Sequence, residues 1–390
     1  MRIDKTKWQK KTIGQVGKVI SGSTPRTDNP SNWVDGTHNW VTPAELKGDK
    51  YYGSTQKKIT DTALETTNLT LMPIGTVLLS SRAPIGKVAI TTEPMYCNQG
   101  FKNIECNSSI YNEFLYYYLK YNNDELNRRG NGVTFKEISK KIVEQFPIVV
   151  PSLEEQKGIA AELDAIQKMI DGYQAQLVDL DELIKSIFNN SFGDIHSNPN
   201  NFEIKLMQDV CSKITDGTHN PPKFVDSGIP FIFVSNIANY EISYLAKKHI
   251  DDAAYNELWK STPVEVGDIV YTSVGSYGNP AIVRTDKKFM FQRHIALLKP
   301  KHDIIESEYL KWFLISPSGR EQADNKAIGA AQKTLNLKAI KTFKILVPPK
   351  DKQQNFTAQV EVLEKQRALL QEQLADAEQL MAERMQFYFS

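Results

Sequence analysis

The sequence predicts an α+β fold: two homologous globular domains separated by an antiparallel pair of long coiled-coil helices. Three observations carry that reading. The stretch FPIVVPSLEEQ (146–156) returns as FKILVPPKDKQ (343–353), 197 residues later. Each copy leads into an apolar stripe at heptad spacing. Each copy is also preceded by a block of short β-branched runs mixed with short amphipathic stretches.

The repeat extends back through each block. WQKKTIGQVGKVISGSTP (8–25) matches FEIKLMQDVCSKITDGTH (202–219), and PIGTVLLSSRAPIGKVAI (73–90) matches EVGDIVYTSVGSYGNPAIV (265–283). YCNQGFKNIEC matches MFQRHIALLKP, and NEFLYYYLK matches SEYLKWFLI. Just ahead of the opening stretch, GNGVTFKEISKKIVEQ (130–145) matches IGAAQKTLNLKAIKT (328–342), with Gly132 over Gly329. A period near 195 residues is too long for a solenoid and marks a duplicated domain. TVLLS, KVAI, FPIVV, PFIFV, DIVYTSV and FKILV read as strands, because β-branched residues suit a pleated surface. NEFLYYYLKYN and ESEYLKWFLIS read as short helices.

The first long helix begins after Pro151, with Ser152 as its cap and Glu155 at capping-box spacing. Its apolar positions are Ile159, Leu163, Ile166, Ile170, Tyr173, Leu177, Leu180, Ile184 and Ile187, in steps of 4 and 3. It stops before the polar linker NNSFGDIHSNPNN. The second carries Phe356, Val360, Leu363, Arg367, Leu370, Leu374, Ala377 and Met381, with Arg367 the exception to an apolar seam. Each stretch spans roughly 35 residues, about 50 Å at a helical rise of ~1.5 Å. Neither can bury its stripe alone, and two in one chain can bury it against each other. The domains are therefore 1–150, 151–195 (helical), 196–347 and 348–390 (helical).

Composition sets the class. The chain has 390 residues, 41% hydrophobic and 24% charged, which suits a soluble protein with real cores. No apolar run reaches membrane-spanning length, and the start lacks the apolar core of a secretion signal. Three cysteines without a CxxC fit a reducing compartment, so a cytoplasmic location is expected. The net charge is only +1, yet it is unevenly spread: +6 over 1–150, −6 over 151–195, +3 over 196–347 and −2 over 348–390. The two basic blocks are the ones suited to a polyanion.

Several chemistries find no support. There is no GxxxxGK[ST] for nucleotide phosphates, and the histidines show no metal-ligand spacing. NPPKF (220–224) imitates an adenine methyltransferase signature, but Lys223 displaces the ring to Phe224 and no glycine-rich methyl-donor loop precedes it. Asp35 with Glu45 and Lys47 loosely imitates a nuclease site, and VSNIAN (234–239) offers no equivalent.

A duplicated basic block, each copy followed by PSLEEQ or PPKDKQ and a heptad helix, resembles the specificity subunit of type I restriction–modification enzymes. The SGSTP and TDGTH loops and the Pro-x-x-x-x-Gln helix starts belong to the same likeness, which covers essentially the whole chain. The resemblance implies that each block is a target-recognition domain reading one half of a bipartite site in double-stranded DNA. The helices would set the spacing and dock two modification (methyltransferase) subunits, with two restriction (motor-nuclease) subunits completing the complex. It implies a non-catalytic chain that binds no cofactor: S-adenosylmethionine belongs to the modification subunits, ATP and magnesium to the restriction subunits. One departure is Lys350-Asp351-Lys352 in place of Ser152-Leu153-Glu154. The rival readings are a protein-interaction scaffold that never touches DNA, and a stand-alone nuclease.

Reading bases takes Arg, Lys, Asn or Gln at base edges, with hydroxyls and amides on phosphates. In the first block these are Ser23, Thr24 and Arg26; Ser81, Arg82 and Lys87; Asn98, Gln99 and Lys102; and Thr134 and Lys136. In the second they are Thr218, His219 and Lys223; Ser273, Ser276 and Tyr277; Gln292, Arg293 and His294; and Gln332 and Lys333. Of six histidines, only His219 and His294 enter this set.

Overall fold

A computed structural model describes residues 4–82, 84–132, 136–330 and 332–390. The chain divides into two compact units, one formed by residues 1–173 with 373–390, the other by 174–372. Each long helix thus contributes one half to each unit.

In the first unit, strand Gln9–Thr12 pairs antiparallel with Pro147–Val150, so the start of the domain lies against the strand that precedes the first long helix. A five-stranded sheet follows in the order Gly17–Ser21, Lys102–Cys106, Val77–Ser81, Ile85–Thr91, Tyr51–Tyr52. The VLLSS strand is buried along its length. Its alternation splits it between two cores: Val77 and Leu79 join Phe114 and Leu115 of helix Asn112–Tyr121, while Leu78 joins Ile20, Val41 and Phe101. A period of two sends successive side chains to opposite faces, and here both faces are covered. A smaller sheet orders Lys57–Ile59, His38–Val41 and Tyr96–Cys97.

The second unit repeats the list. Glu203–Leu206 pairs with Lys344–Val347, and a four-stranded antiparallel sheet orders Cys211–Asp216, Ile295–Pro300, Ile269–Thr272 and Pro280–Ile282. Ile269 and Tyr271 enter one core, Val270 the other. His249–Ile250, Ile229–Ile232 and Met290–Phe291 form the small sheet. All six runs read as strands, and both short helices, lie inside or overlap observed elements of their kind. The two-residue strands and helix Asp252–Ser261 carried too short or too polar a pattern to be read.

The long helices, Leu153–Phe192 and Lys350–Phe389, each run 40 residues, longer than the stripe suggests. The capping box forms: Ser152 N–H donates to Glu155 Oε2 at 3.0 Å, and Glu155 N–H to Ser152 Oγ at 3.3 Å. In the first unit Ile159, Leu163, Ile166 and Ile170 share a core with Ala377, Met381, Met385 and Tyr388, and Tyr388 Oη donates to Glu162 at 2.6 Å. In the second, Phe188 and Phe192 meet Phe356 edge to face, both at 5.5 Å, and Arg367 pairs with Asp181. Within each unit the low numbers of one helix meet the high numbers of the other, so the paired halves are antiparallel. Near its end the seam drifts: Ile187 is half-buried and Phe188 and Phe192 take over, as a 3.6-residue turn requires of a 3.5-residue repeat.

Arg367, the odd member of the seam, is buried. It sits between Asp181 and Glu364, so its charge is balanced by two carboxylates.

Candidate nucleic-acid interface

Backbone hydrogen bonds gather four loops to one corner of each unit, by the same pattern in both. Ser23 N–H donates to Cys97 O at 3.0 Å, and Thr218 N–H to Phe291 O at 3.2 Å. Ser81 N–H donates to Gly100 O at 2.7 Å, and Ser273 N–H to His294 O at 2.9 Å. Ile138 N–H donates to Ser81 O at 3.0 Å, and Leu335 N–H to Ser273 O at 2.8 Å. Reciprocal bonds close Asn131 on Glu137 and Ile328 on Thr334. The glycine shared by SGSTP and TDGTH now has a reason: a Cβ on Gly22 would fall 2.0 Å from Asn98 O, and one on Gly217 2.1 Å from Phe291 O. Gly132 and Gly329, also matched, hold φ of 118° and 113°, where side chains are disfavoured.

The first corner carries Gln99, hydrogen-bonded to Thr24, with Arg82, Lys102 and Glu137 beside it. Arg82 lies 3.9 Å and Lys102 3.7 Å from the Glu137 carboxylate. Asn98 Oδ1 accepts from Gly100 N–H at 2.9 Å and so shapes the turn. Ser23 gives its carbonyl to the Trp40 indole at 3.1 Å. Ser81 is buried, and its hydroxyl is 3.5 Å from Lys102 Nζ. Arg26 is exposed and pairs with Asp28. Lys136 is exposed beside Glu137, and Thr134 lies outside the described residues. Lys87 stands apart, its ammonium donating to the carbonyls of Pro43 and Leu46, each at 2.9 Å.

The second corner encloses a cleft of about 390 Å³, lined among others by Asp216, Ser273, Arg293, His294, Gln332 and Asn336. Burial, helped by the Arg293 charge, pushes the His294 imidazole below its usual value, favouring its neutral form. Thr218 adjoins Gln292, and His219 Nε2 lies 3.0 Å from Asp216 Oδ2. Lys333 is exposed, and its carbonyl accepts from Gly275 N–H at 3.1 Å. Ser276 is exposed, its carbonyl holding Thr272 and Asn279. Tyr277 is turned inward: its hydroxyl donates to Asp324 at 2.7 Å under the Arg320 guanidinium. Lys223 is exposed next to Phe224, whose ring packs on Phe231 at 5.3 Å in a small aromatic core.

Three residues at these corners give no sequence signal for DNA: Glu137 and Asp216 carry a polyanion's own sign, and Asn336 stands where a helix cap is needed, a job it performs for Ala339. The nuclease-like Glu45 is structural, accepting from Thr42 N–H, Tyr52 Oη and Gln56 N–H at 2.7–2.8 Å. Among the described residues no three His, Cys, Asp or Glu lie close enough to share a metal ion, and no helix is long and apolar enough to cross a membrane.

One frame built twice and armed with different polar heads defines a two-part recognition protein. The profile of the type I restriction modification DNA specificity domain matches residues 5–178 and again 199–379, and the chain belongs to that family. It is 29% identical over 386 residues to the MjaIX specificity subunit of Methanocaldococcus jannaschii, covering 91% of this chain and 86% of that one. It is 27% identical over 303 residues to the EcoBI specificity subunit of Escherichia coli, covering 70% and 63%. Among solved structures, the type I specificity subunit of M. genitalium superposes with a TM-score of 0.56 at 14% identity, over 99% of this chain and 97% of that one. A chain from a structural study of type I assembly and conformational transition gives 0.61 at 18% identity, over 98% and 97%. These two likenesses establish the fold.

Proposed function

We propose that this chain is the non-catalytic DNA-reading subunit of a type I restriction–modification complex. Each corner reads one half of a bipartite site. The observation that carries this is the repeated loop frame with unlike heads: Gln99, Arg82 and Lys102 in one unit, Arg293, His294 and Gln332 in the other. Identical frames suit a duplex whose backbone has twofold symmetry, and unlike heads suit half-sites of different sequence. The two unbroken 40-residue helices serve as spacer and as the docking surface for two modification subunits, which bring S-adenosylmethionine. Two restriction subunits, with ATP and magnesium, complete the cleaving form.

Mapping methylated adenines in host DNA with and without this gene tests the reading. The expected result is one bipartite motif with two unlike halves that disappears when the gene is deleted. A map unchanged by the deletion overturns it in favour of a scaffold that does not contact DNA.

A further inference from the structure

Two positions of the matched frames differ together. Strand register sets Lys102 opposite Ser21 in the first unit and Ala296 opposite Asp216 in the second. Backbone bridges set Glu137 beside Arg82 and Asn131, and Thr334 beside Val274 and Ile328. A lysine–glutamate pair in one unit therefore stands where the other has alanine and threonine. The second unit closes the same loop hydrogen bonds without the pair, so the pair is not needed to build the frame.

The pair is also costly. Lys102 is 8% exposed, and desolvating an ammonium is expensive unless short hydrogen bonds replace its water. Its Nζ lies 3.3 Å from Phe101 O, 3.5 Å from both Ser81 Oγ and Gln99 O, and 3.7 Å from Glu137 Oε1. Charged N–H···O contacts normally run ~2.7–2.9 Å. Burial pushes this ammonium below its ordinary value; the Glu137 charge opposes the shift and the Arg82 charge adds to it. A donor held at the floor of a recognition corner with only long contacts is poised for an acceptor that arrives from outside.

Glu137 identifies that acceptor. Its side chain is 43% exposed and faces both Lys102 and Arg82, and a carboxylate set directly beside the ammonium disfavours a phosphate oxygen at that point even though the cluster as a whole is cationic. A cationic donor next to an anionic acceptor complements a neutral acceptor next to a neutral donor. Both A·T and G·C set acceptors beside one donor in the major groove, but lysine pairs most commonly with guanine O6 and N7 and glutamate with the cytosine N4 amine, so a G·C pair suits both side chains at once. We propose that Lys102 and Glu137 together read one G·C pair in the half-site of the first unit, Lys102 donating to guanine and Glu137 accepting from cytosine N4. The second unit has no counterpart reader at that place. This rests on the DNA-reading function above.

The test replaces the pair with what the second unit carries, Lys102→Ala with Glu137→Thr, alongside the single change Glu137→Ala. Each full-length variant is expressed in a host lacking the wild-type gene, and methylated adenines are mapped. One G·C position in one half-site should become degenerate, with the other half unchanged. In binding assays with the modification subunit present, discrimination at that pair should fall about tenfold. An unaltered motif from the folded variants overturns the inference, and so does uniformly weaker binding with a salt slope reduced by about one, which marks a phosphate contact. If the double variant fails to fold, Glu137→Ala at its half-exposed site decides alone. A wild-type chain that yields no bipartite motif sinks the DNA-reading function itself, a result distinct from any of these.

Discussion

Gln156 and Gln353 are completely buried, and each amide closes three hydrogen bonds of the same kind. Gln156 Oε1 accepts from Tyr111 N–H at 2.7 Å, while Nε2 donates to Ser109 O at 3.1 Å and Pro151 O at 2.9 Å. Gln353 repeats this with Glu306 N–H at 2.8 Å, Ile304 O at 3.1 Å and Pro348 O at 2.8 Å. The Pro-x-x-x-x-Gln spacing is thereby explained: the glutamine staples the start of a long helix to the loop that opens the short helix of its own unit. Gln156→Ala strands a buried N–H and two carbonyls, so the first unit should lose about 3 kcal/mol. Gln353→Ala should cost the second unit a similar amount. Denaturant midpoints followed by circular dichroism check both, and a shift under 1 kcal/mol would show that water replaces the amide.

At the scale of elements, the short helix Ser307–Ile315 is held through a buried charge cluster. Glu308 is hydrogen-bonded to Arg284 at 2.7 Å and to the Trp312 indole at 3.0 Å, with Lys311 at 3.4 Å. Lys311 also lies 3.7 Å from Glu364 on the second long helix. Burial alone would push the Glu308 carboxyl up; the Lys311 and Arg284 charges and the hydrogen bonds from Arg284 and Trp312 outweigh it and hold the group below its usual range. A depressed carboxyl contributes stability above its unfolded-state pKa and loses it as pH falls through the folded value. Lys311→Met removes one of those charges, so it should destabilise the second unit by about 3 kcal/mol at pH 7. Acidification that protonates Glu308 should narrow the gap between variant and wild type. Melting curves at pH 7 and pH 4 measure this, and a gap that widens in acid refutes it.

The elements themselves were largely readable. Strands buried on both faces show up as unbroken apolar runs, and the long helices as uninterrupted steps of 4 and 3. What could not be read is what depends on distant partners. Arg367 broke the seam pattern because one of the two carboxylates that balance it, Asp181, lies 186 positions away on the other long helix. The partners of two DNA-reading candidates are also remote: Lys87 donates to the carbonyls of Pro43 and Leu46, and Tyr277 to Asp324. Glu137 was invisible for the opposite reason, since its sign argues against a polyanion until its basic neighbours are seen.

For the molecule as a whole, the proposed spacer role makes a geometric prediction. One extra heptad inserted in each long helix, at the junction between residues 173 and 174 and between 372 and 373, preserves the seam. It lengthens the helices by ~10 Å, which corresponds to about three base pairs of duplex. The methylated motif should keep both half-sites and gain about three unspecified positions between them. A motif of unchanged length would show that something other than the helices fixes the interval.

The first unit takes its closing residues from the far end of the chain: Met381, Met385 and Tyr388 sit in its core, and Phe389 packs on Phe114 and Tyr118. The second unit is drawn from one continuous stretch. On the ribosome, then, birth order and completion order are reversed. The segment made first must wait while roughly 200 further residues are translated, about 10–40 s at ordinary elongation rates, with the groove meant for Phe389 still open. A chain that stops just after residue 372 holds a complete second unit and a first unit still without its closing helix, so residues 373–390 act as a quality check on residues made far earlier.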